Sequence, residues 1–189
     1  MLAAFSYFYI ALHRRLQEFF AFFKIYQRCK SNRQQMKPNL SYFSAIPENA
    51  QWLSATAFQS KKNWGYDDEL MRLWKDDLEI TAAYILTNKV VKVFDGQTFL
   101  GFFAIKMTDS ENAELDHLWL TPENMRKHYG SIIFPKIISD LAAIGCKNMT
   151  LIAEPNAVRF YDKMGGTVVG KFQSKVSGRL LDVYAFLVN

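Results

Sequence analysis

Ala113-Glu-Leu-Asp-His-Leu-Trp-Leu-Thr-Pro-Glu-Asn-Met-Arg-Lys-His-Tyr-Gly-Ser-Ile-Ile133 is the stretch on which the fold turns. It reads as a strand that runs out through Thr121-Pro122 into a basic turn and then into a helix. A turn that delivers successive backbone N–H groups to a helix N-terminus can hold an anion. Those donors have no intrahelical partner, and the helix dipole favours negative charge there. Arg126 and Lys127 lie in the turn, and Gly130 lies where the helix begins. Taken alone, the turn is open to two readings: a phosphate-type anion site, or an ordinary strand-to-helix connection with solvated charges.

Upstream of this stretch, residues 89–94 and 98–107 read as strands joined at Asp95-Gly96, a hairpin signal because glycine supplies positive φ at no steric cost. Gly101 interrupts the second strand and marks a bulge or a close approach. Residues 40–46 read as a first strand. Pro47 opens a helix to about residue 58, a loop covers 59–66, and residues 67–78 form a second helix with acids in its first turn. Residues 81–87 are ambiguous and include a short helix as one reading. Downstream, a helix from about Gly130 stops at Gly145, with Pro135 awkwardly placed inside it. A strand over 147–153, a short helix over 157–164 and two strands flanking Ser177-Gly178 complete the order β-α-α-β-β-β-α-β-α-β-β. That order predicts an α/β fold, a mixed central sheet with helices on both faces.

Two segments carry a family resemblance. Met125-Arg-Lys-His-Tyr-Gly130, between strand and helix, resembles the Arg/Gln-x-x-Gly-x-Gly/Ala signature of acyl-CoA binding in the GNAT N-acetyltransferase superfamily. Ala153-Glu-Pro-Asn-Ala-Val-Arg-Phe-Tyr-Asp-Lys-Met-Gly-Gly166 is similar to the superfamily's Asn-Ala-x-x-Phe-Tyr-x-x-x-Gly pattern. With Trp64-Gly-Tyr66 upstream, the likeness covers roughly residues 38–189. It implies a GNAT-like domain over residues 36–189, in which strands 113–120 and 147–153 splay apart to admit the acyl-pantetheine arm. It also implies acetyl-CoA as co-substrate, no metal, and direct attack on the thioester by a primary amine of a small molecule or peptide.

The same resemblance assigns residues to three tasks. Backbone amides of Arg126, Lys127, His128, Tyr129, Gly130 and Ser131 would hold the pyrophosphate, with charge from Arg126 and Lys127. Met125 belongs to the same turn. Leu118, Trp119 and Leu120 would offer strand backbone to the pantetheine, and Asn156 would lie near it. Glu114, eleven residues before Met125, is the candidate base, because a carboxylate on a half-buried strand can have its pKa raised by desolvation. Pairing with a neighbouring Lys or Arg is its bland alternative, and Asp116 or a water relay are rivals. Strict alternation places Glu114, Asp116, Leu118 and Leu120 on one face and Leu115, His117 and Trp119 on the other. Tyr161 is the candidate acid near the CoA sulfur, with a core aromatic as its alternative. Trp64 and Tyr66, with Asp116, would frame the acceptor. Two departures matter: Met125 replaces Arg/Gln, and His128 replaces the first glycine. If the turn needs positive φ there, His128 costs about 1 kcal/mol. A non-catalytic acyl-CoA sensor of the same fold is therefore a rival reading.

Composition limits the remaining classes. Half of the 189 residues are hydrophobic and the formal charge is +5. Arg14, Arg15, Lys24, Arg28, Lys30 and Arg33 against Glu18 alone place that whole excess in residues 1–35, so the domain itself gives no reason to expect nucleic acid. This leader carries Tyr9, Leu12, Leu16, Phe19, Phe20, Phe23 and Tyr26 at helical spacing. Its first apolar run is shorter than the ~20 residues of a membrane span. Three readings stay open: a helix packed on the domain or on a second copy in a homodimer, a helix in peripheral contact with a membrane, or a start-site artefact with Met36 as the true first residue. A docking module built on this leader is a further rival function. Two cysteines, Cys29 and Cys146, form no disulfide framework, which makes a reducing, cytoplasmic setting the expectation.

Overall fold

The computed structural model describes residues 38–188. The expected N-terminal helical extension, with its membrane, docking and start-site readings, lies outside them. Asp95 and Gly96 (φ +57) fold β2 (Lys89–Asp95) back onto β3 (Thr98–Met107). β1 (Leu40–Ser44) pairs with the outer side of β2 and β4 (Asn112–Leu120) with β3, all antiparallel. β5 (Asn148–Ile152) joins β4 in parallel, and β6 (Thr167–Gln173) and β7 (Leu180–Leu187) close the order β1-β2-β3-β4-β5-β7-β6. The sheet is mixed, as the element order predicts.

Helices cover both faces. On one face Ile133, Phe134, Ile137 and Leu141 of α4 (Tyr129–Ala143) and Tyr161 of α5 (Val158–Lys163) pack on Phe103, Ile105, Ala113 and Leu115. On the other, Leu53 and Ala57 of α1 (Ala50–Lys62), Met71 of α2 (Asp68–Leu73) and Ile85 of α3 (Ala82–Thr87) pack on Val90, Phe102 and Ala104. The spacing 133, 137, 141 on α4 is one helical stripe, and each such buried aliphatic contributes about 1.5–3 kcal/mol. Thr81 resolves the ambiguous segment: its hydroxyl accepts from Tyr84 N at 3.0 Å, an N-cap that starts α3. Among the described residues no helix is long and apolar enough to cross a membrane.

Three local expectations need correction. The first helix does not stop near residue 58. It continues to Lys62, because fully buried Ser60 donates to Leu120 O at 2.6 Å and ties that last turn to the sheet. The second helix is not continuous to Leu78: after α2 the chain tightens into a 3₁₀ turn at Asp76–Leu78, which buries Trp74 and Leu78 together. The strict alternation expected of the central strand is broken. Ala104 faces His117 while Ile105 faces Leu115, so Asp116 is an extra residue on β4. This bulge puts Leu115 on the α4–α5 face with Leu118 and Leu120, and moves Glu114 off that face.

Gly101 sits further along the same strand pair, opposite Leu120. It takes φ +151, and a Cβ there would meet Trp119 O at 2.0 Å. Only glycine lets β3 and β4 approach so closely.

Candidate functional site

β4 and β5 pair only between Asn112–Glu114 and Asn148–Thr150. Beyond Glu114 the two strands diverge, leaving the later part of β4 bonded to β3 on one side only. A cavity of about 730 Å³ occupies this region, walled by Leu115, Leu118, Trp119 and Leu120 of β4 and by Ile152 and Glu154 at the end of β5. A gap between splayed strands exposes backbone donors and acceptors that a chain-like ligand can pair with.

The basic turn forms one end of the cavity. Asn124 is buried and anchors it, its Nδ2 donating to Thr121 Oγ1 at 2.9 Å. Met125 follows, touched by Asn63 Nδ2 through its sulfur at 3.3 Å. Arg126 then takes φ +59 and His128 φ +67, both left-handed. Among the described residues the N–H groups of Arg126, Lys127, His128, Tyr129 and Gly130 donate to no backbone carbonyl. Such left-handed turns leading into a helix aim their free N–H groups at one concave spot, an anion cradle. Met125, Arg126, His128, Gly130 and Ser131 line the cavity. Lys127 does not, and the Tyr129 ring turns away, its hydroxyl donating to Asp95 Oδ2 at 3.1 Å. Gly130 has ordinary φ; its lack of a side chain admits the Phe160 ring, which a Cβ would meet at 3.1 Å.

The facing wall comes from the 3₁₀ turn Pro155–Ala157, with Asn156 and Ala157, and from α5, with Arg159, Tyr161 and Lys163. Among the described residues Arg126, Arg159 and Lys163 pair with no carboxylate, so their charge is free for an anionic ligand. Tyr161 is largely buried. Burial, then the charge of Glu154, raises its pKa well above that of an ordinary phenol, so its hydroxyl keeps its proton.

A network centred on Lys61 and Glu154, two residues that the sequence did not single out, joins α1 to the segment after β5. Lys61 Nζ lies 3.0 Å from Glu154 Oε2, with 14% and 15% of the two side chains exposed. Tyr66 donates to Glu154 Oε1 through a short hydrogen bond, and Asn156 Nδ2 donates to the same atom at 3.2 Å. Burial and Glu154 push the Tyr66 hydroxyl well above its ordinary value. Lys61 Nζ also sits 4.0 Å above the Trp74 ring. Lys61, Glu154 and Trp64 line the cavity, whereas Tyr66 stands behind the wall, bonded to Glu154 and to Asn156 at 3.4 Å.

Of the β4 carboxylates, Asp116 faces the cavity and Glu114 does not. Asp116 Oδ2 accepts from Tyr84 at 2.5 Å and pairs with Lys106 at 2.7 Å. Burial disfavours its charge, yet His117, Lys106 and Tyr84 outweigh this and hold its carboxyl below the usual aspartate range. Trp119 Nε1 donates to His117 Nδ1 at 3.0 Å, so that nitrogen carries no proton, and burial pushes the His117 pKa down. His117 is a satisfied neutral side chain. Glu114 stands across from Lys106, its pKa raised by burial and by Asp116.

One cavity thus joins the opened parallel pair of a mixed sheet to a left-handed turn with free N–H groups. The sequence matches the acetyltransferase (GNAT) family over residues 46–166, and the chain belongs to that family. Solved structures share the fold at low identity. PaiA N-acetyltransferase from Thermoplasma acidophilum, in complex with coenzyme A, is 18% identical with TM-score 0.63, covering 78% of this chain and 99% of that one. A GCN5-related N-acetyltransferase from Rhodopseudomonas palustris is 18% identical with TM-score 0.64, covering 80% and 96%. An aminoglycoside 6'-N-acetyltransferase complexed with coenzyme A is 14% identical with TM-score 0.56, covering 79% and 97%. A comparison with curated proteins finds no match.

Proposed function

We propose that the protein is an acetyl-CoA-dependent N-acetyltransferase acting on a primary amine of a small molecule or peptide by direct attack. The observation that carries this reading is the join between the unpartnered N–H groups of residues 126–130 and the open strand gap in one cavity. A pyrophosphate suits the first and an extended amide-bearing arm suits the second, so the residues present fit an acyl-CoA. When bound, acetyl-CoA supplies an activated acyl carbon and a thiolate leaving group.

The chain's own groups have four tasks. The turn amides, with Arg126, hold the diphosphate. The β4 edge at Leu118, Trp119 and Leu120, together with Asn156, aligns the arm; Leu120 O is already engaged by Ser60, which leaves the other edge groups. Tyr161 holds a proton where the sulfur would lie. Removal of the amine proton falls to a carboxylate of the cavity wall, and Glu154 shares that wall with Tyr161, whose hydroxyl feels its charge. Glu114, off the wall, serves only through a relay past Asp116. Trp64 and Tyr66 border the acceptor end.

That placement of Glu114 also favours a second reading, acyl-CoA binding without turnover. The deciding experiment follows thiol release from acetyl-CoA with a panel of primary amines. Transferase activity predicts amine-dependent release that Tyr161→Phe lowers by about 10²–10⁴-fold. Binding without release for every amine selects the sensor.

A further inference from the structure

We infer that Lys61 is itself an acetyl acceptor, so that the protein acetylates its own Lys61 Nζ within one chain. This rests on the acetyl-CoA reading above. An N-acetyltransferase needs an amine in its cavity beside a group that can take a proton. Here a primary amine already occupies such a place. Lys61 lines the cavity that Tyr161 and Glu154 also line, and its Nζ lies 3.0 Å from Glu154 Oε2.

The surroundings differ from those of a surface ion pair. Both side chains are mostly buried, the ammonium lies over the Trp74 ring, and Tyr66 and Asn156 hold Glu154 in place. Lys163 provides an internal comparison: it also lines the cavity, but it is exposed and pairs with no carboxylate among the described residues. Proximity and a positioned proton acceptor favour Lys61 over it.

The step balances as follows. The Lys61 ammonium gives one proton to Glu154, which releases it to solvent, and the freed lone pair attacks the acyl carbon. The C–N bond forms, the C–S bond breaks, and the second nitrogen proton ends on the sulfur by way of the Tyr161 hydroxyl. The products are N-acetyllysine, free thiol and one proton. Acetylation removes the charge at Lys61, which ends both the salt bridge and the cation–π contact. The event is therefore a single turnover that loosens the link between α1 and β5.

The test incubates the full chain with acetyl-CoA and maps acetylated lysines by peptide mass spectrometry, alongside coenzyme A calorimetry. Protein as purified from cells is mapped in the same way. The inference predicts that Lys61 is modified first, at a rate independent of protein concentration and at least about tenfold faster than Lys163. Glu154→Gln slows the reaction by about tenfold or more, and Lys61→Arg retains coenzyme A binding while losing the modification at that position. Coenzyme A binding with Lys61 unmodified, or modified no faster than Lys163, or modified at a rate that scales with protein concentration, overturns self-acetylation and leaves the proposed function standing. Absence of coenzyme A binding overturns both.

Discussion

His128 occupies the turn position at which the family signature carries glycine, and it does so at φ +67 and ψ +4. The left-handed region costs a non-glycine residue roughly 1–2 kcal/mol, with histidine among the side chains enriched there. Replacing His128 by Gly removes that strain but adds about 0.4–1 kcal/mol of unfolded-chain entropy to be lost on folding. Histidine is among the residues enriched in that region, which puts its strain near the lower bound, so the two effects nearly cancel and His128→Gly is expected to change stability by less than about 1 kcal/mol. At roughly 2–4 °C per kcal/mol for a domain of this size, the melting temperature moves by less than about 4 °C. Because the turn is already left-handed with histidine in place, coenzyme A affinity stays within about threefold, or ~0.7 kcal/mol. His128→Val puts a β-branched side chain where φ is positive; it is expected to lose about 1–2 kcal/mol and to weaken coenzyme A as the turn relaxes. Thermal melts and titration calorimetry on the three proteins read both quantities. Tightening of coenzyme A by tenfold or more in His128→Gly would refute the reasoning, because it would mean that histidine keeps the turn from its working shape.

Two further substitutions probe the sheet behind the site. Gly101→Ala drives a Cβ into Trp119 O at a position where nothing can yield except backbone. It is expected to cost about 3 kcal/mol or more, a melting shift of roughly 6 °C or more, or to prevent folding; a near-neutral result would contradict the close approach of β3 and β4. Glu114 has its folded pKa raised, chiefly by burial and then by Asp116, so its ionisation destabilises the folded state above that pKa. Glu114→Gln should therefore melt higher than the parent near pH 7. The difference should disappear below about pH 4, where the unfolded carboxyl is also largely protonated. A lower melting temperature at neutral pH would mean that the Lys106 attraction dominates instead.

Much of the scaffold could be read from residues whose local physics has one solution. Asp95-Gly96 makes its hairpin, and Gly101 makes the close approach of β3 to β4 beside a separate irregularity in the β2–β3 pairing. The splay was visible only through the family likeness, since no local signal tells β4 and β5 to part after Glu114. The bulge at Asp116 was not legible, because period-two alternation has no term for an extra residue, and it changed which β4 carboxylate faces the cavity. Lys61 and Glu154 are separated by 93 positions and meet only when α1 packs across the sheet. Lys61 sits in a Ser-Lys-Lys run that reads as solvated helix end, and Glu154 precedes a proline in an ordinary strand exit. Their pairing is a tertiary fact. His128 is the converse case: the sequence raised the question of positive φ, and the structure answers it.

In the proposed function the free N–H groups of residues 126–130 cradle the diphosphate of an acyl-CoA in front of the open strands, the Ser131 N–H being taken by His128 O at 3.1 Å. Gly130→Asp is a poor probe of this cradle, since any side chain there also strikes Phe160. Ser131→Asp meets no such side chain: Ser131 is exposed, lines the cavity and lies in the first turn of α4, its only side-chain bond among the described residues being Oγ to His128 O at 2.7 Å, and a carboxylate there suits the helix but repels a bound phosphate. The direct measurement is calorimetric titration of coenzyme A into the parent protein and into Ser131→Asp. Binding to the parent is expected with one site per chain, weakened by about tenfold or more in the variant at low salt, with the variant's melting temperature maintained. Absence of binding to the parent, or equal affinity in the two proteins, would contradict the cradle.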